Sequence, residues 1–171
     1  MTVTQAIKER RSVRKYKSTP VESEKLQQIG EAFRLAPSAR NMQDWKLIIV
    51  TDPNKKEQIA RQAAPDGGDP TPFILEAPVL LIGTCDNKRV MANDHRVDTT
   101  DVSIAMSLVM LTAQELGLGT CWMGYYTESG VRAALGIPED VSIVAIMPLG
   151  YADESPEARP RKHMKDVVEF I

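Results

Sequence analysis

Apolar residues along the chain follow two patterns, one with helical spacing and one in short continuous runs. The helical spacing predicts a first helix that ends near Arg10, a second that Pro37 stops, a third from Pro53 to about Ala64, and a short one that Gly136 ends. The continuous apolar runs predict strands over residues 46–51, 77–85, 120–126 and 141–151.

Local signals mark where two of these helices begin. Thr19-Pro20-Val21-Glu22 fits a capping box with proline in the first turn, and Asp52-Pro53 fits an N-cap followed by proline. Between the third helix and the next strand, PDGGDPTP (65–72) contains two glycines and three prolines. That composition predicts an irregular loop.

The segment 101–116 is apolar nearly all round and ends at Gly117. A helix without a solvent face is expected at the centre of the fold or inside a subunit interface. The C-terminal tail is polar and interrupted by prolines, yet it closes on apolar residues that predict docking on its own subunit or on another: Val167, Val168, Phe170 and Ile171. No repeat or linker divides the chain, so we expect one domain over residues 1–171, of the α+β class, with helices covering a mixed β-sheet.

The overall charge argues against a nucleic-acid-binding protein. The 171 residues carry a formal net charge of -2 and a pI near 5.7, whereas nucleic-acid-binding domains are usually basic. Cys85 and Cys121 lie in apolar runs without zinc-ligand spacing, which predicts buried thiols of a reducing compartment. The sequence shows neither the apolar core of a signal peptide nor a run long enough to span a bilayer, so we expect a cytoplasmic protein.

Few side chains of this sequence are typical of catalysis. The histidines, His95 and His163, lie in polar segments. NDHRVD (93–98) resembles a loose metal cluster, but it lacks the ligand spacing of a known site, so we interpret it as a solvated loop leading into a helix. If the protein is an enzyme, its reactive atoms are expected to come from a cofactor. We therefore assign no catalytic side chain and no metal site.

Positive charge is concentrated at two places. RRSVRKY (10–16) follows the first helix, and RPRK (159–162) lies near the C-terminus. A basic run is often a solvated helix end, where cations also interact favourably with the helix dipole. Alternatively, both clusters could converge on one phosphate, because the planar guanidinium of arginine can bind phosphate through two hydrogen bonds.

Four motifs occur in the order in which they are found in the nitroreductase family of FMN-dependent oxidoreductases, and the chain resembles this family over essentially its whole length. These motifs are RRSVRKY (10–16), APSARNMQDW (36–45), ELGLGTCWMG (115–124) and ARPRKHMKDVV (158–168). The resemblance implies an α+β homodimer with two FMN molecules at the subunit interface. It also implies that NADH or NADPH and the electron acceptor use the same face of the flavin in turn.

The resemblance further implies which residues bind FMN. Arg10 and Ser12 match positions that hold the phosphate, Arg11 lies close by, and Arg14 matches a cationic position near the ribityl chain and the pyrimidine edge. The segment expected to reach the flavin of the other subunit contributes Pro37, Ser38, Ala39, Asn41 and Gln43. The remaining matches are Met123 and Gly124, along the reactive edge of the ring, and Arg159 and Arg161, which complete the phosphate pocket.

The sequence departs from the family pattern in two segments. Asp44 stands where the family usually has proline, so the turn at NMQDW is expected to differ. Pro70 and Phe73 lie where many members have polar residues that contact the ring, and their side chains cannot form such hydrogen bonds. The tuning of the flavin is therefore expected to differ. Few residues separate Cys85 from Asp101, where larger members of the family insert lid helices, so the substrate pocket is expected to be open or to be shaped chiefly by residues 64–75 and 86–98 of one or both subunits.

From the resemblance we expect an FMN-dependent oxidoreductase that takes hydride from NADH or NADPH and reduces a small electron-poor acceptor, such as a nitroaromatic or a quinone, by a ping-pong mechanism. The alternative is a flavin-binding protein without turnover that serves as a flavin store or redox-sensing partner, since a fold does not fix a function. Neither of these two functions requires a nucleic acid or a membrane.

Overall fold

The computed structural model describes residues 1–64 and 69–171, and the predicted α+β class is confirmed. Within these ranges the helices, in chain order, are α1 (Val3–Glu9), α2 (Ser23–Arg34), α3 (Pro53–Gln62), α4 (Pro72–Glu76), α5 (Val97–Glu115) and α6 (Glu128–Leu135). The strands are β1 (Trp45–Val50), β2 (Val79–Cys85), β3 (Gly119–Thr120) and β4 (Ser142–Gly150). Short 3-10 turns span Ala39–Asn41 and Met164–Asp166.

The strands form one sheet in the order β1-β2-β4-β3, with antiparallel pairing between all neighbours. The sequence predicts a mixed sheet, and among the described residues the parallel component is a single isolated bridge between Ser12 and Thr120. At the centre of the sheet, Ile82 of β2 pairs with Ile48 on one side and with Ile146 on the other. As predicted from its continuous apolar run, β2 is buried at every position.

Helices cover both faces of this sheet. One face, with Leu81 and Met147, packs against α2 and α5. The opposite face, with Leu80 and Ile146, packs against α3, α4 and α6. Alternate residues of β2 therefore enter two different hydrophobic layers, which explains why the strand has no polar side.

Helix α5 lies directly across β2. A Cβ atom on Gly83 would lie 2.7 Å from Cγ1 of Val102, so the glycine permits the close approach of the helix. The helix begins at Val97, earlier than the predicted residue 101, and its core-facing side is fully buried at Val102, Ala105, Met106, Val109 and Ala113. Ile104 and Leu108 remain exposed on its other side. Burial of that side in a subunit interface stays a prediction.

The predicted capping box at residues 19–22 is wrong. Helix α2 begins at Ser23 with Glu22 as N-cap, and no side chain caps it. The Glu22 carboxylate instead accepts a hydrogen bond from the Tyr151 hydroxyl, which competes with capping. A capping box does occur at α1, where Thr2 and Gln5 bond each other's backbone N–H groups. The predicted Asp52 cap of α3 is confirmed, since its carboxylate accepts from the Lys55 N–H at 3.0 Å.

Two further predictions need correction. The predicted strand 120–126 is confined to Gly119–Thr120, because the chain then leaves the sheet edge and next pairs with the sheet at an isolated Met123–Ile146 bridge. The predicted loop 65–72 ends at Thr71, because Pro72 occupies the first turn of α4, where proline needs no backbone donor. Residues 65–68 of that prediction lie outside the described residues.

Apolar side chains also lie on the surface. On one face, α1, α2 and α5 border a groove lined by Val3, Ala6, Ala32, Leu35, Leu108 and Leu111. The tail after Pro156 is exposed throughout and forms no strand, and its docking on a second chain stays a prediction. Cys85 and Cys121 are buried free thiols, as predicted. Within the described part of the chain, no helix is both long and apolar enough to cross a membrane.

A buried carboxylate connects the start of α5 to β4. Asp98 has no exposed surface, and it accepts hydrogen bonds from Arg96, from the Ser142 hydroxyl at 2.6 Å and from the Thr99 N–H at 2.7 Å. Burial alone raises the pKa of Asp98, but these hydrogen bonds and the charge of Arg96 outweigh it and lower the pKa to about 2. The ionised form of Asp98 therefore stabilises the fold.

We expect Asp98 to contribute to acid unfolding. Because its folded-state pKa lies below the ordinary value of 3.8, its contribution is complete above pH 3.8 and disappears as the pH falls towards 2. The difference corresponds to about 2 kcal/mol of the free energy of unfolding. Urea unfolding of the wild type and of Asp98→Asn across this range should show a weaker pH dependence in the variant. Glu31→Gln, at an exposed pair with Arg34, is the control, and identical slopes for wild type and Asp98→Asn would contradict the assignment.

Candidate functional site

Segment 10–16 is held between β3 and the chain that follows β4. The Val13 N–H donates to the Thr120 carbonyl at 2.9 Å, next to the Ser12–Thr120 bridge. On the other side, Tyr16 pairs with Ala152, and the N–H of Asp153 donates to the Lys15 carbonyl at 2.9 Å. The basic segment is thus fixed by main-chain hydrogen bonds on both of its sides.

Two side chains add to this support. The Tyr16 hydroxyl donates to the Val13 carbonyl at 2.8 Å, and burial raises the pKa of Tyr16 far above its ordinary value. Glu154 accepts from the Arg14 N–H through Oε1 at 2.5 Å. The second contact does not follow from a local sequence pattern, because Glu154 lies 140 residues from Arg14.

The structure separates the roles of the clustered arginines. Burial raises the pKa of the Cys121 thiol, while the positive charges of Arg14 and Arg10 oppose that rise. The Ser12–Thr120 bridge places the segment that carries these two arginines beside the end of β3. Arg11 turns away, and its guanidinium donates to the carbonyls of Lys8 and Arg10 at 2.8 and 2.9 Å. Arg11 therefore caps the end of α1.

The predicted residues Met123 and Gly124 lie shortly after β3 in the chain. Met123 exchanges backbone hydrogen bonds with Ile146 of β4, at 2.9 and 3.4 Å. Gly124 is exposed, and a Cβ at this position would meet nothing within 4 Å. The backbone here is fixed at Met123 and open at Gly124, so a planar ligand could approach it closely.

Segment 38–43 has an unusual backbone. Arg40, Asn41 and Gln43 have φ angles of 55°, 56° and 56°, in the left-handed region that non-glycine residues rarely adopt. Each such residue costs about 1 kcal/mol or more. The Gln43 N–H donates to Oγ of Ser38 at 3.1 Å, and the Ala39 N–H donates to Oδ2 of the buried Asp101 at 2.9 Å.

Asp44 has a specific partner. Its carboxylate accepts from the side-chain amide of the buried Asn87 at 2.9 Å, and its carbonyl accepts from the Asp86 N–H at 3.1 Å. The family usually has proline at this position. In this chain Asp44 instead connects segment 38–43 by hydrogen bonds to the residues between β2 and α5. The sequence alone did not indicate this pair.

The predicted site residues are not all brought together within one chain. Among the described residues, no hydrogen bond joins residues 37–43 to residues 10–14. Arg159 and Arg161 lie in the exposed tail. Within residues 1–64 and 69–171, no ion pair is formed by Arg10, Arg14, Arg159 or Arg161. Their guanidinium groups are thus free to bind an anion.

The candidate metal loop has other contacts. Asp98 is bound to Arg96 and Ser142, while a ring nitrogen of His95 contacts the side-chain amide of Asn93 at 3.2 Å. In the described ranges, no three His, Cys, Asp or Glu side chains are grouped as metal ligands.

The predicted residues fit FMN in their chemistry. The arginines beside Ser12 match a phosphate, which needs several fixed donors. Asn41 and Gln43 are exposed and carry amides that can both donate and accept, as the carbonyl and nitrogen edge of a flavin requires.

Comparisons with known proteins show which family this chain resembles. The model of the nitroreductase family matches residues 7–66 and 70–151. A Methanothermobacter thermautotrophicus protein assigned as an NADH dehydrogenase/NAD(P)H nitroreductase is 36% identical over 163 residues, which cover 93% of this chain and 82% of the relative.

Solved structures show the same fold. An FMN-dependent nitroreductase from Clostridium difficile superimposes with a TM-score of 0.83 at 33% identity, covering 98% of both chains. The NADPH:FMN oxidoreductase of Vibrio harveyi, complexed with NAD+, superimposes with a TM-score of 0.87 at 25% identity, covering 98% of this chain and 76% of that one. Because the family model covers most of the chain and a relative is 36% identical over 93% of it, this protein belongs to the nitroreductase family.

Proposed function

We propose that this protein is an FMN-dependent NAD(P)H oxidoreductase that works as a homodimer and reduces an electron-poor small molecule, such as a nitroaromatic or a quinone. The observation that carries the proposal is the group of Arg10, Ser12 and Arg14 at the end of β3. Their segment is fixed on both sides by main-chain hydrogen bonds, and the two arginines have no ion-pair partner among the described residues. Such a preorganised cationic site suits a phosphate dianion.

In this proposal the phosphate is held by Arg10 and Ser12, with Arg159 and Arg161 of the C-terminal tail completing the pocket. Arg14 lies towards the ribityl chain and the pyrimidine edge, where a positive charge stabilises the negative charge that accumulates on reduction. The resemblance also places Arg11 near the phosphate. In this chain the Arg11 guanidinium donates to the carbonyls of Lys8 and Arg10, so we propose that Arg11 mainly stabilises the end of α1.

The ring is proposed to lie between two chains. Met123 and Gly124 of one chain provide backbone along the reactive edge, and Pro37, Ser38, Ala39, Asn41 and Gln43 of the other chain approach the ring. This division explains why segment 37–43 forms no hydrogen bond with residues 10–14 of its own chain. The site draws on segments from residue 10 to residue 161, so we treat residues 1–171 as one FMN-binding domain.

The homodimer accounts for the exposed apolar surface. Val3, Leu35 and Leu108 border an open groove, and Phe170 is 88% exposed in the tail. Isolated apolar side chains on a surface are common, whereas a groove together with an apolar tail is typical of an interface. The buried free thiols further favour a reducing location such as the cytoplasm.

FMN, when bound, supplies the electron chemistry, by accepting a hydride from NADH or NADPH and passing the electrons to the acceptor. The residues of this chain bind and orient the cofactor and leave one face open to both substrates. We propose a ping-pong order, in which the nicotinamide leaves before the acceptor enters. No side chain of the protein is needed as acid or base.

Because no side-chain catalyst is proposed, we expect NADH or NADPH to reduce the flavin of His95→Ala and of His163→Ala as fast as that of the wild type. His163 lies in the exposed tail and His95 in an exposed loop. Stopped-flow bleaching of the flavin band by NADH or NADPH measures this step directly. A thousandfold loss in either variant, equal to about 4 kcal/mol of barrier, would reveal a missed catalytic group.

A methyl group on Gly119 is expected to disturb the phosphate site. A Cβ there would lie 2.7 Å from Cγ2 and 2.9 Å from Cβ of Val13, a buried residue in the middle of the basic segment. Since Val13 must shift, Gly119→Ala should weaken FMN binding about tenfold, comparable to the cost of overpacking. Fluorescence titration with FMN measures the effect.

The control for this substitution is Gly30→Ala in α2, where the added Cβ meets nothing within 4 Å. It should leave FMN affinity unchanged and stabilise the helix slightly. If Gly119→Ala binds FMN like the wild type, the position of Val13 does not matter for the phosphate site.

The proposed function is tested by the visible spectrum and by turnover. Purified protein should be yellow, or should bind added FMN, and should oxidise NADH or NADPH when a quinone is present. A colourless protein that ignores added FMN overturns the proposal. Bound FMN without quinone-dependent oxidation would instead support a flavin-binding protein without turnover.

A further inference from the structure

Asp101 is a buried carboxylate in the core-facing part of α5. It is 6% exposed, and its neighbours on the same side of the helix are apolar, among them Val102 and Ala105. Among the described residues it has no ion-pair partner, unlike Asp98 one turn earlier, which is paired with Arg96. A buried charge of this kind requires a strong hydrogen-bond donor.

The donor described for this carboxylate is the main chain of segment 38–43. The Ala39 N–H donates to Oδ2 of Asp101 at 2.9 Å, across 62 residues of sequence. The contact lies immediately before Arg40 and Asn41, the first two residues with left-handed backbone angles. Asp101 thus anchors the segment at the point where its unusual conformation begins.

Most of the remaining described hydrogen bonds near this point are local to the segment, apart from long contacts in which Sδ of Met42 accepts from the side chains of Asn87 and Arg89 at 3.6 and 3.7 Å. The N–H groups of Asn41 and Met42 donate to the carbonyls of Ser38 and Ala39, and the Gln43 N–H donates to the Ser38 hydroxyl. These bonds close the turn on itself but do not fix it to the fold. At its far end, Asp44 and Asn87 fix it to the β2–α5 connection.

We propose that Asp101 is a positioning residue for the cofactor: by holding the Ala39 N–H, it maintains the left-handed turn that presents Asn41 and Gln43 to the flavin ring. This inference rests on the proposed function for its flavin part. A turn that is held in shape before binding lowers the entropy cost of ordering these side chains, so the loss of Asp101 should weaken FMN binding although Asp101 does not touch FMN.

The test compares Asp101→Ala with Asp98→Ala in the dimer of the whole 171-residue chain. Both substitutions remove a buried carboxylate from the same helix, so both should lower the melting temperature. For Asp101→Ala alone we expect a ten- to hundredfold loss of FMN affinity, the range expected from one charged hydrogen bond. The circular dichroism of the flavin band and the midpoint potential should also change.

Two further variants separate positioning from general destabilisation. Asp101→Asn keeps a carbonyl oxygen that can accept from the Ala39 N–H, and it should restore much of the affinity. Arg40→Gly removes the steric cost of the left-handed angle at an exposed residue outside the proposed site. Combined with Asp101→Ala, it should recover part of the lost affinity, because the relaxed turn depends less on its anchor.

Three results would overturn the inference. The first is that Asp101→Ala keeps the FMN affinity, the circular dichroism of the flavin band and the midpoint potential of the wild type. The second is that Asp98→Ala, with a similar fall in melting temperature, changes FMN affinity and the flavin signals as much as Asp101→Ala does. The third is independent of flavin: amide hydrogen exchange of residues 38–43 in the apoprotein should accelerate in Asp101→Ala, and unchanged exchange would show that Asp101 does not hold the segment. If the wild type bound no FMN, the proposed function would fail, and this exchange measurement would still decide whether Asp101 holds the turn.

Discussion

Removal of residues 167–171 is expected to dissociate the dimer and to release FMN together. These residues include Phe170, which is 88% exposed, together with Val167 and Val168. Burial of each large apolar side chain contributes about 1.5–3 kcal/mol, and a symmetric dimer contains two tails. We therefore expect the dissociation constant to rise at least a hundredfold, which corresponds to about 3 kcal/mol. Sedimentation velocity followed at protein and flavin wavelengths reports both losses in one experiment.

The matched control for the truncation is Glu169→Gln, which changes a charge in the same segment but removes no apolar surface. It should sediment as a dimer with FMN bound. If the truncated protein is a monomer that retains stoichiometric FMN, the shared site is wrong, and Asn41 and Gln43 are then ordinary loop residues. If it remains a dimer with full FMN content, the tail does not contribute to the interface.

Arg161→Ala should weaken FMN binding by about 2–4 kcal/mol, the usual cost of removing one partner from a buried charge pair. In one chain Arg161 is exposed and unpaired among the described residues, so the substitution should leave the stability of the apoprotein unchanged. Fluorescence titration with FMN, together with thermal unfolding of the apoprotein, separates the two effects.

Lys15→Ala provides the comparison for this prediction. Lys15 belongs to the same basic segment as Arg14, but its ammonium group pairs with Asp153 at 3.7 Å and both side chains are largely solvent-exposed. Such a surface pair contributes at most about 1 kcal/mol. Equal losses of affinity in both variants would mean that the basic residues act as a diffuse positive field instead of a defined pocket.

The sequence predicted best those elements that depend on local signals. The Asp52 cap of α3 and the left-handed Gly136 that ends α6 were found because one residue type at one position determines the backbone there. Strand β2 was found because burial on both faces leaves a continuous apolar run.

Elements that depend on distant partners were predicted poorly. The capping signal at Thr19–Glu22 failed because Glu22 binds Tyr151, 129 residues away. The run TCWMGYY has strand-like composition, yet only its first residue lies in a strand, because the chain turns from the sheet edge after Thr120. Helix α4 was not predicted, because its five residues are too few to show helical spacing of apolar positions.

The same limit applies to the candidate site. Family resemblance supplied the residues expected to touch FMN, but not Asp101, Glu154 and Asn87, which bind the segments that carry them. Each of these contacts joins residues more than 40 positions apart. One signal was present: Asp101 opens an otherwise apolar stretch, where a charged residue needs a specific partner.

The pairing of residues 14–17 with residues 151–154 has a consequence for the order of biosynthesis. The basic segment is made among the first residues of the chain, but its hydrogen bonds to Tyr151, Asp153 and Glu154 require almost the whole chain to have been made. Contacts of such long sequence separation form late in folding. The proposed phosphate site therefore cannot be assembled on a nascent chain that lacks its C-terminal part. Capture of the cofactor is then expected only after the ribosome has completed β4 and the residues that follow it.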